Sequence, residues 1–356
     1  MHALKEQHLN QLADYTRQLY RAPELRKLFL ELTLQCNEHC WHCGSSCTAA
    51  RGDELSTQEF CSVIDQVKID FADKLPYLCI TGGEPLLRHD FFDIMGHAHR
   101  LGFDWGMTSN GTLITPEVAH KLAACGMRTV SISIDGTPES HDRFRASSSG
   151  FDRAMAGVQS LIDEGAFSSV QVTTVVNHVT VNELDAMFDM LGDVDIDSWR
   201  VINVEPIGRA LQRPDLMCTP DDLRRMFGFI REKRAQGWPV EYGCSHYLGL
   251  DFEVEVRPWY WLCNAGVYTA SVTSNGDIAA CLDIPRRPDT VQGNIRKRRL
   301  RDVWENEFTL FRRDIGDSCE ECCSCEHMRF CRGGACHSWD FDANRQQICL
   351  KGVLFD

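Results

Sequence analysis

"LFLELTLQCNEHCWHCGSSC", residues 28 to 47, joins an apolar run of strand length to four cysteines packed into twelve positions. The same change from apolar strand to polar loop recurs along the first two thirds of the chain. "YLCITGG" (77–83), "DWGMTSNG" (104–111), "TVSISIDG" (129–136), "SVQVTTVVN" (169–177) and "SWRVINVEPIG" (198–208) are rich in apolar and β-branched residues. Helical patterns lie between them. "STQEFCSVIDQVKIDF" (56–71) opens on Ser56 with Glu59 three residues on, a capping box. "TPEVAHKLAACG" (115–126) opens on a Thr cap with Pro in the first turn and stops at Gly126. Six alternations predict βα units and a parallel sheet, either an incomplete barrel or an open sheet. Ligands of such folds bind beyond the C-terminal strand ends. One site therefore gathers "CNEHCWHC", "GGEP", "TSNGT", "IDG", "NH" and "EPIGRA".

The chain has 356 residues, 43% of them hydrophobic. That suffices for one large domain with an appendage. No run of eighteen apolar residues spans a membrane, and the mixed-charge start is not a signal peptide. The expected location is the cytoplasm. A net charge of −14 argues against a nucleic-acid surface. The basic run "IRKRRLR" (295–301) reads as a solvated face at a helix start, with a phosphate-binding patch as the alternative.

Eighteen cysteines in a reducing compartment point to metal ligation or redox chemistry rather than disulfides. Cys36, Cys40, Cys43 and Cys47 cluster early; Cys319, Cys322, Cys323, Cys325, Cys331, Cys336 and Cys349 crowd the end. Cys61, Cys79, Cys125 and Cys218 read as small buried hydrophobes. Beyond about residue 240 the alternation stops. "VYTASVTSNGDIAACLD" (267–283) is a hairpin about Asn275-Gly276, followed by a helix, "LRDVWENEFTLFRR" (300–313). The expected division is a helical segment 1–26, a core 27–240 and a cysteine-rich module 241–356 that needs metal to fold.

Cys36, Cys40 and Cys43 form C-x3-C-x2-C. Three thiolates on one loop can hold three irons of a 4Fe–4S cubane and leave the fourth open to another ligand. A zinc loop or a redox dithiol fits the spacing alone. The order of motifs decides more: the triad, with aromatic Trp41 before its last cysteine, follows the first strand, and "GGEP" (82–85) follows the second. Together they resemble the radical S-adenosylmethionine (radical SAM) enzymes over residues 27 to 210. The resemblance implies a partial (β/α)6 TIM-like barrel of the α/β class. It also implies that the open iron is chelated by the amino and carboxylate groups of SAM, which one electron then splits into methionine and a hydrogen-abstracting 5′-deoxyadenosyl radical.

On the same resemblance, Gly82, Gly83, Glu84 and Pro85 bind SAM. The glycines are expected to let backbone approach the ligand, and Glu84 to accept from its ammonium or to serve only structurally. Asn110, Ser131, Ser133 and Asp135 are implied for its ribose and methionine parts. Arg145 of "HDRFR" is implied for its carboxylate. Cys47 is expected to be a packed thiol, and His39 and His42 to face solvent.

The tail reads Cys322-x2-Cys325-x5-Cys331-x4-Cys336 and then Cys349; upstream, Cys263 is followed by twelve residues, Gly276, four residues and Cys281. This resembles the SPASM extension of radical SAM enzymes, a hairpin plus helices carrying two auxiliary iron–sulfur clusters, expected to be 4Fe–4S. One interval departs: four residues precede Cys336 where the family has three. The resemblance implies an outer cluster on Cys322, Cys325, Cys331 and Cys349 and an inner one on Cys263, Cys281 and Cys336. Either Cys244 completes the inner set or one iron there stays open for substrate, in which case Cys244 donates a hydrogen atom or is structural. Cys319 and Cys323 receive no role. A zinc ribbon is the alternative for the tail.

Auxiliary clusters suit a two-electron oxidation, in which Asp283 is either the proton-accepting base or a turn residue. Resemblance favours a ribosomally made peptide or protein side chain as substrate, recognised by a separate leader-binding protein, by the barrel mouth or by the N-terminal helix, with a donor such as flavodoxin or ferredoxin supplying electrons. The alternatives are a small molecule, such as a sugar alcohol or tetrapyrrole, and a non-catalytic iron–sulfur or zinc protein.

Overall fold

The structure, a computed structural model, describes residues 2–49, 52–243 and 246–356. Helix α1 (His2–Arg21) leads into β1 (Lys27–Glu31), which ends just before the cysteine loop. Next come α2 (Thr57–Asp70), β2 (Tyr77–Thr81), α3 (Phe91–Arg100), β3 (Trp105–Ser109), α4 (Pro116–Ala124) and β4 (Met127–Ser133). They are followed by α5 (Pro138–Arg145), α6 (Gly150–Glu164), β5 (Ser169–Val176), α7 (Leu184–Gly192), β6 (Ser198–Asn203), α8 (Pro220–Ala235) and β7 (Val240–Tyr242).

Both expected helix starts form as the sequence requires. The Ser56 hydroxyl accepts from the Glu59 N–H while the Glu59 carboxylate accepts from the Ser56 N–H, satisfying two donors that the first turn of α2 would otherwise leave bare. Thr115 caps α4 ahead of Pro116.

Strands β1 to β7 lie side by side in chain order, and each neighbouring pair is parallel. Sequential order with a helical crossover at each step is the winding of a barrel, not of a sheet that doubles back. The barrel is partial because β7 does not reach β1. The other edge of β1 pairs in parallel with β8 (Thr269–Val272), and β9 (Asp277–Ala279) and β10 (Gly293–Asn294) follow antiparallel. The expected hairpin therefore forms, but as the continuation of one ten-stranded sheet.

Along β4, Val130 and Ile132 are buried in a core shared with Ala119 and Leu122 of α4 and Ala154 and Val158 of α6. Val130, Ile132, Leu122 and Val158 each contribute about 1.5–3 kcal/mol on burial. Ser131 and Ser133 alternate with them onto the other face, half-buried, and Ser131 is hydrogen-bonded to Thr173 of β5 at 2.6 Å. The apolar face holds the helices and the polar face lines the barrel interior.

The C-terminal region adds α9 (Gly249–Phe252), α10 (Leu300–Asn306), α11 (Glu320–Cys323), α12 (Met328–Cys331) and a small ladder of β11 (Trp339–Asp340) and β12 (Arg345–Gln346). It is tied to the barrel by Glu31, at the end of β1, which accepts from the Ser274 N–H and pairs with Arg286. Helix α1 buries Leu9, Ala13, Thr16 and Leu19, and is anchored by Lys5 on Glu255 (2.7 Å) and by Tyr20 on Asp314 (3.0 Å). The basic run is a paired surface: Arg296 meets Glu59, Arg298 meets Asp302 and Glu307, Arg299 meets Asp70, and Arg301 meets Glu305. Among the described residues no helix is long and apolar enough to cross a membrane.

Candidate active site

The loop after β1 closes on itself, with the Cys36 N–H donating to Thr48 O and the Thr48 N–H to Leu34 O, each at 3.0 Å. Its middle is stitched to the end of α5: His39 N–H donates to Arg145 O (3.1 Å) and Trp41 N–H to Phe144 O (2.8 Å). Cys36, Cys40 and Cys43 are thereby gathered. Burial raises the Cys36 thiol and pushes Cys40 up to about 12, and the charge of Cys43 adds to both. Cys43 is drawn down to about 5, chiefly by a hydrogen bond from the Cys47 thiol, with its own burial opposing. Three sulfurs in such a loop cannot all ionise unless a cation shares the site, and an iron–sulfur cluster would supply that charge. Cys47 is buried as expected, yet it touches Cys43 rather than merely filling space, and its thiol also donates to Gly82 O at 3.5 Å.

The "GGEP" turn extends β2 alongside this loop, with Gly83 N–H on Thr33 O and Glu84 N–H on Gln35 O, both at 2.8 Å. A Cβ on Gly82 would run into Thr33 O, and one on Gly83 into Gln35 O; Gly82 also holds a positive φ of 149°. The space these glycines leave empty is thus filled by the cysteine loop's own backbone. Glu84 is fully buried. Burial pushes its carboxyl up to about 7, opposed by donors from the Asn110 N–H, the Leu86 N–H and the Ser109 hydroxyl. Pro85 opens the short helical turn that follows. The Asn110 amide donates to Asn37 of the cysteine loop at 2.8 Å, so three loops are pinned together at this point.

A buried ionic cluster forms the other wall. Arg145 donates to Asp135 through Nε (2.8 Å) and Nη2 (2.7 Å), and to Glu38 through Nη1 (2.8 Å). The Arg145 guanidinium and His42 hold the Asp135 carboxyl far below the usual range against its burial. His39 is exposed as expected, but His42 is not: its side chain is 7% exposed, with Nε2 at 3.1 Å from Asp135. The nearby buried carboxylate outweighs the loop setting. Glu38 Oε1 and His42 Nδ1 are buried with no hydrogen-bond partner. Buried polar atoms are seldom left so, and here they fit a polar ligand held beside the three thiols. Breaking such a buried pair from one side costs about 3–5 kcal/mol. Asp135→Ala should lower unfolding free energy by that amount in anaerobic denaturant titrations.

The C-terminal cysteines fall into two groups. Cys263 is drawn down to about 6 by a hydrogen bond from Cys336, and Cys336 is raised by Cys263 and Cys281, which places these three together. Cys244 lies outside the described residues. Cys322, Cys325, Cys331 and Cys349 line one cavity of about 450 Å³, and Cys319 joins them there. Cys323 points away, its exposed thiol donating to Gly316 O and Asp317 O.

A cavity of about 760 Å³ separates the first cysteine loop from this region. Gly44, next to Cys43, forms one side; Leu282 and Asp283, next to Cys281, form another; Ile207 and Trp339 complete it. Asp283 is exposed, and its carboxylate lies 4.0 Å from the Cys281 sulfur.

Residues 30–191 match the radical SAM superfamily, and residues 263–326 match SPASM, an iron-sulfur cluster-binding domain. The AdoMet-dependent heme synthase of Methanosarcina barkeri is 30% identical over 327 residues, 86% of this chain and 90% of that protein. The chain belongs to the radical SAM superfamily. The mycofactocin maturase MftC of Mycolicibacterium smegmatis is 32% identical over 311 residues, 85% of this chain and 76% of the relative. In structure, Streptococcus suis SuiB bound to its precursor peptide SuiA superposes with a TM-score of 0.69 at 19% identity, covering 88% of this chain and 72% of SuiB, a likeness of fold.

As a radical SAM enzyme with a SPASM domain, the chain takes SAM, a 4Fe–4S cluster and auxiliary iron–sulfur clusters as cofactors. The thiol groups and the unpartnered Glu38 and His42 atoms fit that set. Sequence reasoning did not single out Glu38 or Arg209. Both stand inside motifs already noted, "CNEHC" and "EPIGRA", but nothing in a polar loop marks which side chain turns inward.

Proposed function

We propose that this radical SAM enzyme oxidises a side chain of a ribosomally made peptide or protein, forming a crosslink, thioether or related bond. The observation that carries the reading is the 760 Å³ cavity, which touches the neighbours of both Cys43 and Cys281. A substrate there lies between the first cysteine set and the inner C-terminal one. Bound SAM with a cluster on Cys36, Cys40 and Cys43 would supply the removal of a substrate hydrogen atom, and Cys263, Cys281 and Cys336 would hold the auxiliary cluster that could accept the second electron. Asp283, whose carboxylate lies 4.0 Å from the Cys281 sulfur, accepts the remaining proton in this reading. Gly82, Gly83, Glu84, Pro85, Asn110, Ser131, Ser133, Asp135 and Arg145 form the SAM side of the site.

The heme synthase relative gives a second reading, a tetrapyrrole. The lining argues against it. A tetrapyrrole with several carboxylates needs free cations, yet Arg286 is paired with Glu31, and Arg287 with Asp289 and Asp342. Asp283 and Asp340 add negative charge. A neutral or basic peptide segment suits such a wall better. Since α1 has spent its buried face on the C-terminal region, a separate protein is the fitting reader of a leader sequence. A flavodoxin or ferredoxin supplies electrons, and the cytoplasm is the matching compartment.

Short peptides encoded beside the gene, incubated anaerobically with enzyme, SAM and reductant, should lose two hydrogens or gain an internal crosslink by mass spectrometry. Loss of carbon dioxide from a propionate-bearing tetrapyrrole, with the peptides untouched, would establish the second reading instead. Within the first, Asp283→Asn should slow product formation about 100-fold, the scale of a lost general base. Release of 5′-deoxyadenosine should continue.

A further inference from the structure

The loop after β6 does more than border the cavity. Arg209 donates through Nε to Cys40 O (2.8 Å) and through Nη1 to Cys47 O (2.6 Å), while its backbone N–H donates to Cys43 O (3.0 Å). Three carbonyls of the cysteine loop are thus held by one residue. The approach is close enough that Gly208, at a φ of 54°, has no room for a Cβ, which would strike Gly44 O and Cys43 O. Arg213 adds a cation over the Trp41 ring, 4.0 Å from its centroid.

The charge is the second half of the observation. Most arginines of this acidic chain face carboxylates, but among the described residues Arg209 forms no ion pair. Its guanidinium donates instead to carbonyls of the cysteine loop. Net charge and hydrogen bonding are the levers that set the potential of an iron–sulfur cluster. A fixed cation favours the state carrying the extra electron.

We propose that Arg209 is a positioning residue that both shapes the loop bearing Cys36, Cys40 and Cys43 and, by its unpaired charge, raises the reduction potential of the cluster they hold. An enzyme that must receive an electron from a flavodoxin or ferredoxin gains from this. Reduction becomes easier without any residue touching the cofactor's open position.

The proposal rests on the cluster assignment and is tested separately from it. Full-length protein is purified anaerobically as wild type, Arg209→Gln and Arg209→Lys, and titrated with reductant under EPR. The signal that changes on adding SAM identifies the first cluster. Glutamine keeps donors but loses the charge; lysine keeps the charge but loses the fork. Arg209→Gln should reduce the ratio of reduced to oxidised cluster about ten-fold at a fixed potential, equivalent to about 59 mV for one electron. Arg209→Lys should stay near wild type. Potentiometry reads only clusters that are present, so partial loading of a variant does not spoil the comparison. An unmoved Arg209→Gln, or equal shifts in both variants, would overturn the role of the charge. Wild-type protein without iron at residues 36 to 43 would instead remove the assignment beneath it.

Discussion

Replacing Cys36, Cys40 and Cys43 together with alanine should yield a protein that splits no SAM but keeps its C-terminal iron. The three thiols lie on a loop fixed by backbone hydrogen bonds to Phe144, Arg145 and Thr48 rather than by the thiols themselves, so the loop has other reasons to fold. The C-terminal cysteines form their own groups, with Cys336 beside Cys263 and Cys281. The whole acceleration of SAM cleavage, about 10⁶-fold or more for an ordinary enzyme, should therefore vanish while iron and sulfide fall only by the content of one cluster. Chromatographic assay of 5′-deoxyadenosine together with iron analysis checks both halves. Cleavage that survives the triple replacement would show that the radical chemistry starts elsewhere.

The second large effect is expected at the other end of the chain. Cys322→Ala with Cys325→Ala removes two of the thiols around the 450 Å³ cavity and should stop product formation while leaving uncoupled SAM cleavage near its normal rate. The reason is electron disposal: removing a hydrogen atom leaves a radical that must lose one more electron before the oxidation is complete. The proposed site of the first cluster lies in the barrel, on the loop after β1 and beside those after β2 and β4, so it does not depend on this cavity. Circular dichroism must show the variant folded, because a small cysteine-rich region draws much of its stability from bound metal. Normal turnover in a folded variant would take these cysteines out of the electron path.

The barrel was legible because each of its first six strands is an apolar run closed by a polar turn, a signal contained within a few residues. The seventh strand was not. Val240–Tyr242 is too short to carry a pattern, and its pairing with β6 is what makes it a strand. The hairpin around Asn275-Gly276 could be read locally, but its seat against β1 could not, because no local rule specifies which distant edge a strand joins. The same limit applies in the site. Cysteine spacing marked the candidate iron sites, yet the inward turn of His42 depends on Asp135, which arrives from the end of β4. The glycines of "GGEP" were expected to clear a path to a ligand, whereas the nearest atoms they make room for are carbonyls of the cysteine loop. Arg209 illustrates the point again, since its partners are backbone atoms that leave no trace in composition.

The most direct test is the fate of SAM itself. Protein isolated without oxygen, loaded with iron and sulfide and given a strong one-electron reductant, should turn SAM into methionine and 5′-deoxyadenosine in equal amounts. Fully iron-loaded protein that leaves SAM intact under those conditions would contradict the assignment of an open iron at Cys36, Cys40 and Cys43.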